Sequence, residues 1–143
     1  CLLYASRAGA RWAVDAATLT GNMVQALGKK VTGVFGEDEA VSALTRLAKE
    51  CGETVWPMPM VEEYADVLKS DYADMKNSVA EPGPGVIYAA LFLHHFAKGM
   101  EWAHLDIAGT ADTHKPWSCY PAGATGAGVR LMAAFAADRA MNG

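Results

Sequence analysis

The span from Arg11 to Leu27 constrains this chain more than any other. Arg11 to Thr18 reads as a strand, with the large side chains of Trp12 and Val14 suited to a pleated sheet. Thr18-Leu19-Thr20-Gly21 then breaks the run with small polar residues and a glycine. Asn22 to Leu27 has helical spacing, and Gly28 is placed to stop it. A strand that hands over to a helix through a tight turn puts a loop at the strand's carboxyl end, where open α/β sheets hold ligands. Backbone N–H and C=O groups in such a loop are not consumed by the sheet, and can hold an extended backbone as a neighbouring strand would.

Lys30 to Phe35 is a second strand rich in β-branched residues, with Gly33 marking a close packing contact or a bulge. Asp38 is the expected N-cap of a helix in which Val41, Leu44, Leu47, Ala48 and Cys51 share a face, closed by Gly52. Val55 to Pro59 is an extended connector and not a central strand, because Pro57 and Pro59 lack a donor. Met60 to Lys69 is an amphipathic helix with Val61, Tyr64, Ala65 and Leu68 together, and Ser70 to Gly85 is a long loop of the kind that is usually functional or mobile. Val86 to Lys98 is apolar almost all round in its first two turns and should be buried. Glu101 to Ile107 is a third strand, with Trp102, His104 and Asp106 on one face and Ala103, Leu105 and Ile107 on the other. A polar loop from Asp112 to Pro121 precedes a last helix, Gly126 to Met141, with Val129, Met132, Phe135 and Ala136 inward. Alternating strands and helices predict an α/β fold of three layers, a mixed and mostly parallel sheet flanked by helices.

The chain has 143 residues, 52% hydrophobic and 20% charged, which excludes disorder. A net charge of −4 argues against a nucleic-acid partner. No apolar run approaches the roughly 20 residues that span a bilayer. The cysteines, Cys1, Cys51 and Cys119, are odd in number and lack metal-ligand spacing, which suits a reducing compartment. Leu2, Leu3 and Tyr4 read as the end of a helix that starts without cap or initiator Met, so the chain is expected to be part of a longer one.

Several constellations bear on chemistry. His104 and Asp106, with Asp112 and His114 nearby in sequence, offer a mixed N/O metal site; the competing expectation is a hydrogen-bonded anchor under a loop. His94 and His95 are adjacent on a helix and cannot both face one ion. Cys119 with His114 or His104 would be a nucleophilic pair, although no spacing argues for it. Ala122 to Gly128 precedes a helix and has the composition of a phosphate cradle, but lacks the following strand and acidic partner of a dinucleotide site. Asp71 and Asp74 sit in the long loop without a partner that sequence can assign.

Four segments in order resemble the leucyl (cytosol) aminopeptidase family: Asp-Ala-Ala-Thr-Leu-Thr-Gly at 15–21, Trp-Pro-Met-Pro at 56–59, Ala-Asp-Met-Lys-Asn at 73–77, and Trp-Ala-His-Leu-Asp-Ile-Ala-Gly at 102–109. The resemblance implies the C-terminal portion of a zinc-peptidase-like catalytic domain. The parent would be a cytoplasmic homohexamer that releases N-terminal residues, leucine-type, from peptides with two divalent ions (Zn, Mn or Mg) and, in some members, bicarbonate. The family's metal ligands, catalytic lysine and bicarbonate-holding arginine precede this chain; some ligands lie in a segment reading Asn-Thr-Asp-Ala-Glu-Gly-Arg-Leu. The resemblance therefore implies no catalytic or metal residue in this chain, which alone should be inactive. What carries over is substrate wall. Thr18 and Gly21 match positions bordering the side-chain pocket, Leu19 a position whose main chain meets the ligand backbone, and Ala108 and Ala111 the pocket floor. Ser78 and Val79 depart from the family's usual isoleucine and glycine, which leaves the loop's pocket contacts open. Alternative readings are a truncated paralogue acting as an assembly module, or a hydrolase with its own metal at His104, Asp106, Asp112 and His114.

Overall fold

The structure, a computed structural model, describes residues 1–142. A short helix α1 (Leu2–Arg7) leads into strand β1 (Trp12–Ala17), and a loop joins it to α2 (Gly21–Leu27). Thr20 caps α2, its hydroxyl oxygen accepting the Met23 N–H at 3.3 Å. Strand β2 (Thr32–Gly36) is followed by α3 (Asp38–Cys51) and a short strand β3 (Val55–Pro57). Helix α4 (Gly85–Ala97), strand β4 (Glu101–Asp106), a small hairpin of β5 (Asp112–Thr113) and β6 (Gly123–Ala124), and helix α5 (Val129–Asn142) complete the order.

The main sheet has the order β1-β4-β2-β3. β1 runs parallel to β4 and β2 parallel to β3, while β4 and β2 are antiparallel, so the sheet is mixed and mostly parallel, as expected. Helices cover both faces. On one, Val34, Ala103 and Leu105 pack against Leu44 and Leu47 of α3 and Leu131 and Phe135 of α5. On the other, Phe35 packs with Met23 of α2 and with Ile87, Ala90 and Leu91 of α4, and Trp102 packs with Ala97 and Met100. Gly33 is a close packing contact: a Cβ there would run into the Met23 side chain. Gly52 closes α3 in the left-handed region at φ +72°.

Four expectations need correction. Val55–Pro57 is a strand, not a connector, but an edge one; the missing donor of Pro57 does not interrupt a ladder there, and Met58 N–H continues to the Val34 carbonyl at 2.8 Å. The N-cap of α3 is Glu37, and Asp38 is its first helical residue, where with Glu39 it complements the helix dipole. Met60 to Lys69 holds a 3-10 helix over Glu62–Leu68 in place of an α-helix. Its three-residue turn aligns Glu62, Ala65 and Leu68 on one side, which seats Leu68 in the core and brings Glu62 to α4. Finally, α5 starts at Val129 and only part of its expected face is inward: Phe135 is buried and Met132 packs against the core, as expected, whereas Val129 and Ala136 are exposed and Leu131 and Asp138 are buried instead. The Glu53 carboxylate anchors the start of this helix by accepting the N–H groups of Gly128 at 2.7 Å and Leu131 at 3.1 Å.

Candidate functional site

Alternation along β1, β4 and β2 sends a row of polar side chains to the α4 side of the sheet. Asp15 stands beside His104, and Ala17 beside Asp106, across the parallel pair; Phe35 and Gly33 face the same two residues from β2. The Asp15 carboxylate accepts from His104 Nδ1 at 2.6 Å and from Trp102 Nε1 at 2.7 Å. His104 is wholly buried between the rings of Phe35 and Trp102, and its Nε2 has no hydrogen-bond partner among the described residues. Asp106 is also buried; its Oδ1 accepts the N–H groups of Leu19 at 3.2 Å and Ala108 at 3.1 Å, and its Oδ2 accepts the Thr20 hydroxyl at 2.8 Å.

These bonds decide between the two expectations for this cluster. Asp106 is the anchor under the Leu19–Thr20 loop, and His104 is bound to Asp15 instead of sharing an ion with Asp106. Asp112 and His114 are exposed on the following loop, and among the described residues no group of three or more His, Cys, Asp or Glu side chains is placed to hold a metal. The metal site at His104, Asp106, Asp112 and His114 is therefore not assembled. His94 sits 3.0 Å from Glu37 and 3.6 Å from Glu62 and stacks on Trp102, while His95 is exposed. Cys119 and His114 are both exposed, and no hydrogen bond joins them among the described residues. The segment with the composition of a phosphate cradle is used differently: Gly123–Ala124 pairs with Asp112–Thr113 in the β5–β6 hairpin, and Glu53 takes the N–H groups at the start of α5, placing a negative charge where an anion would go.

Beyond the carboxyl end of β1 lies an open cleft of about 510 Å³. Leu19, Thr20, Gly21 and Asn22 form one side, Tyr88, Ala89, Phe92 and Leu93 of α4 the opposite side, and Asn77, Ser78 and Val79 of the long loop a third. A Cβ on Gly21 would meet nothing within 4 Å, so this residue leaves space in the cleft without any need for an unusual backbone. Of the residues expected to border a pocket, Leu19 and Gly21 line this cleft. Thr18, exposed at the strand end, and Ala108 and Ala111 lie outside its lining. Ala108 is nonetheless tied to Leu19 through the shared Asp106 oxygen, and the Ala111 N–H bonds back to the Ile107 carbonyl at 2.9 Å. Gly109 lies close against the Gly28 carbonyl, where a Cβ would not fit.

Sequence reasoning misses two parts of this arrangement. It gives Asp15 no partner, although an acid flanked by apolar residues within a strand is itself a request for one. The wall formed by Tyr88, Ala89 and Phe92 is hidden because α4 is apolar on every side.

A loop-walled cleft at a strand end, over a buried carboxylate that fixes the loop amides, defines an α/β domain with a ligand cleft in the place that open sheets reserve for one. The catalytic domain of the cytosol aminopeptidase family matches residues 1–133, so the chain belongs to that family. It is 49% identical over 132 residues to the probable cytosol aminopeptidase of Nostoc punctiforme, a match covering 92% of this chain and 27% of that protein. The corresponding protein of Geobacter sulfurreducens is 47% identical over 135 residues, covering 94% of this chain and 27% of its own length. One from Shewanella oneidensis is 47% identical over 123 residues, covering 85% and 25%. The chain thus spans about a quarter of the length of the curated relatives it matches. Among the described residues no helix is long and apolar enough to cross a membrane.

Proposed function

We propose that this chain is the C-terminal portion of a cytoplasmic, metal-dependent aminopeptidase that releases N-terminal residues, leucine-type, from peptides, and that its own part is to wall the substrate cleft. The observation that carries the reading is the cleft itself. It joins loop backbone at a strand end with apolar helix side chains, and about 510 Å³ is within the range of small-ligand sites. A peptide bound there would find backbone groups for its own backbone in the Thr20–Asn22 stretch, and apolar cover for a side chain from Phe92 and Leu93.

The residues present do not fit the pair of divalent ions that the family implies. Asp15 and His104 are spent on each other, Asp106 on three donors, and the exposed Asp112 and His114 do not join them. The proposal assigns the ligands of those ions to chain beyond these residues. Within these residues the contribution is binding and orientation: the loop amides direct the peptide and the apolar wall excludes water. The same reading carries a homohexameric assembly, and in some members bicarbonate, both inherited from the family resemblance.

The test is Gly21→Leu in the complete protein. The added side chain enters open space and strains no backbone, so folding and metal content should be unchanged. Activity on leucyl peptides should fall about tenfold or more, the scale on which displaced substrates lose rate. Unchanged kinetics would remove Gly21 and this cleft from the site.

A further inference from the structure

We infer that Asp106 is a positioning residue that ties the loop following β1 to the loop following β4, and that it acts on substrate through the cleft-lining Leu19–Asn22 loop without touching it. The inference rests on the reading of the cleft as a peptide-binding site. The parallel ladder of β1 and β4 ends at the pair Ala17 and Asp106, with the Ile107 N–H reaching the Ala17 carbonyl at 2.9 Å as the last backbone bond. Past that point the two chains diverge, one toward Leu19 and the other toward Ala108. The Asp106 side chain continues the connection that the backbone gives up. A single oxygen, Oδ1, accepts from both Leu19 and Ala108, so neither amide can shift without drawing on the other. Through Oδ2 the same carboxylate holds the Thr20 hydroxyl, whose oxygen in turn caps α2 at Met23. Asp106 is 1% exposed and its bonding partners are these dipoles, with no cation among them. A buried carboxylate whose donors come from the loops leaving β1 and β4 is an expensive way to build a turn. An aliphatic side chain would fill the volume, but would leave the amides unaligned.

A role in position and a role in stability alone make different kinetic predictions. A merely structural loss lowers the folded fraction, which reduces apparent kcat and leaves KM unmoved. Loss of alignment weakens the grip on the peptide backbone, which raises KM. The experiment uses the complete protein with leucine p-nitroanilide and a leucyl dipeptide. Asp106→Asn keeps an amide oxygen for Leu19 and Ala108 and should hold KM within about threefold of wild type. Asp106→Ala should raise KM by about tenfold, the scale of one or two net hydrogen bonds lost to the peptide backbone. Asp106→Ser, whose hydroxyl keeps the site polar but cannot reach both amides, should raise KM likewise and serves if the alanine variant does not fold. Wild-type KM in the alanine or serine variant, with only kcat reduced, would overturn the role of Asp106 and leave the peptidase reading standing. A wild-type protein that releases leucine from neither substrate would overturn the peptidase reading itself, and the inference with it.

Discussion

The two faces of the central sheet differ in kind. Toward α3 and α5, β4 presents Ala103 and Leu105 to an apolar core shared with Val34, Leu44 and Leu131. Toward α4, the alternate residues Trp102, His104 and Asp106 are just as deeply buried but carry polar atoms, and their partners lie on β1 and on the loops that leave the sheet. One face is held by area removed from water, which is indifferent to direction. The other adds directed bonds to its own apolar packing, each fixing the position of a particular atom. Their separation shows how one six-residue strand can serve stability and site geometry together: period two lets consecutive residues answer to different demands.

Leu105 and Asp106 are neighbours in sequence and opposites in orientation, so Leu105→Ala is the strongest test of the division. It should cost about 2–5 kcal/mol of stability, as fully buried leucines do, read from the denaturant midpoint, while KM for a leucyl substrate stays at the wild-type value. A raised KM would mean that the two faces are not independent. A smaller effect is expected within the polar face. A double-mutant cycle of Asp15→Asn and His104→Phe should give a coupling energy of about 1–3 kcal/mol, the scale for charge-assisted bonds between contacting groups. Additive effects would show that the His104–Asp15 contact fixes nothing.

The smallest effect belongs to the apolar face's rim. Arg139 and then Arg46 hydrogen-bond the Asp138 carboxylate and hold it below the usual aspartate range. A depressed folded-state value means that this bonding stabilises the protein above the unfolded-state pKa, about 3.9, and is lost as pH falls through the lower folded-state value. Asp138→Asn should therefore flatten the acid branch of the stability profile and leave the α4-side cleft unaffected. Because Arg46 is half exposed, the effect should shrink further in high salt.

Most of this architecture was legible in the sequence because periodicity is a local property. The apolar stripe Val41, Leu44, Leu47, Ala48 placed α3, and the alternation Trp102, His104, Asp106 put three polar-tipped residues on one face of β4. What escaped was fixed by contacts between distant segments. The start of α5 is tied to Glu53, far away in the chain, and Leu68 of the 3-10 segment Glu62–Leu68 is seated in the cluster under α4. Pro57 argued rightly against a central strand but did not reveal that the segment closes the sheet as its edge. In the site, the loop after β1 was readable from its strand–turn–helix pattern, and Asp106 from its expected role as an anchor. The partner of His104 was not, because Asp15 meets it only through sheet register.

The central claim is that these residues shape and align a substrate cleft while the reacting ions are held elsewhere in the protein. The most direct measurement is hydrolysis of leucine p-nitroanilide by the purified 143-residue chain with divalent zinc, manganese or magnesium supplied, its folded state checked by circular dichroism. The account predicts a folded chain without turnover. Sustained release of p-nitroaniline by a preparation free of contaminating hydrolase, and lost on Gly21→Leu, would contradict it.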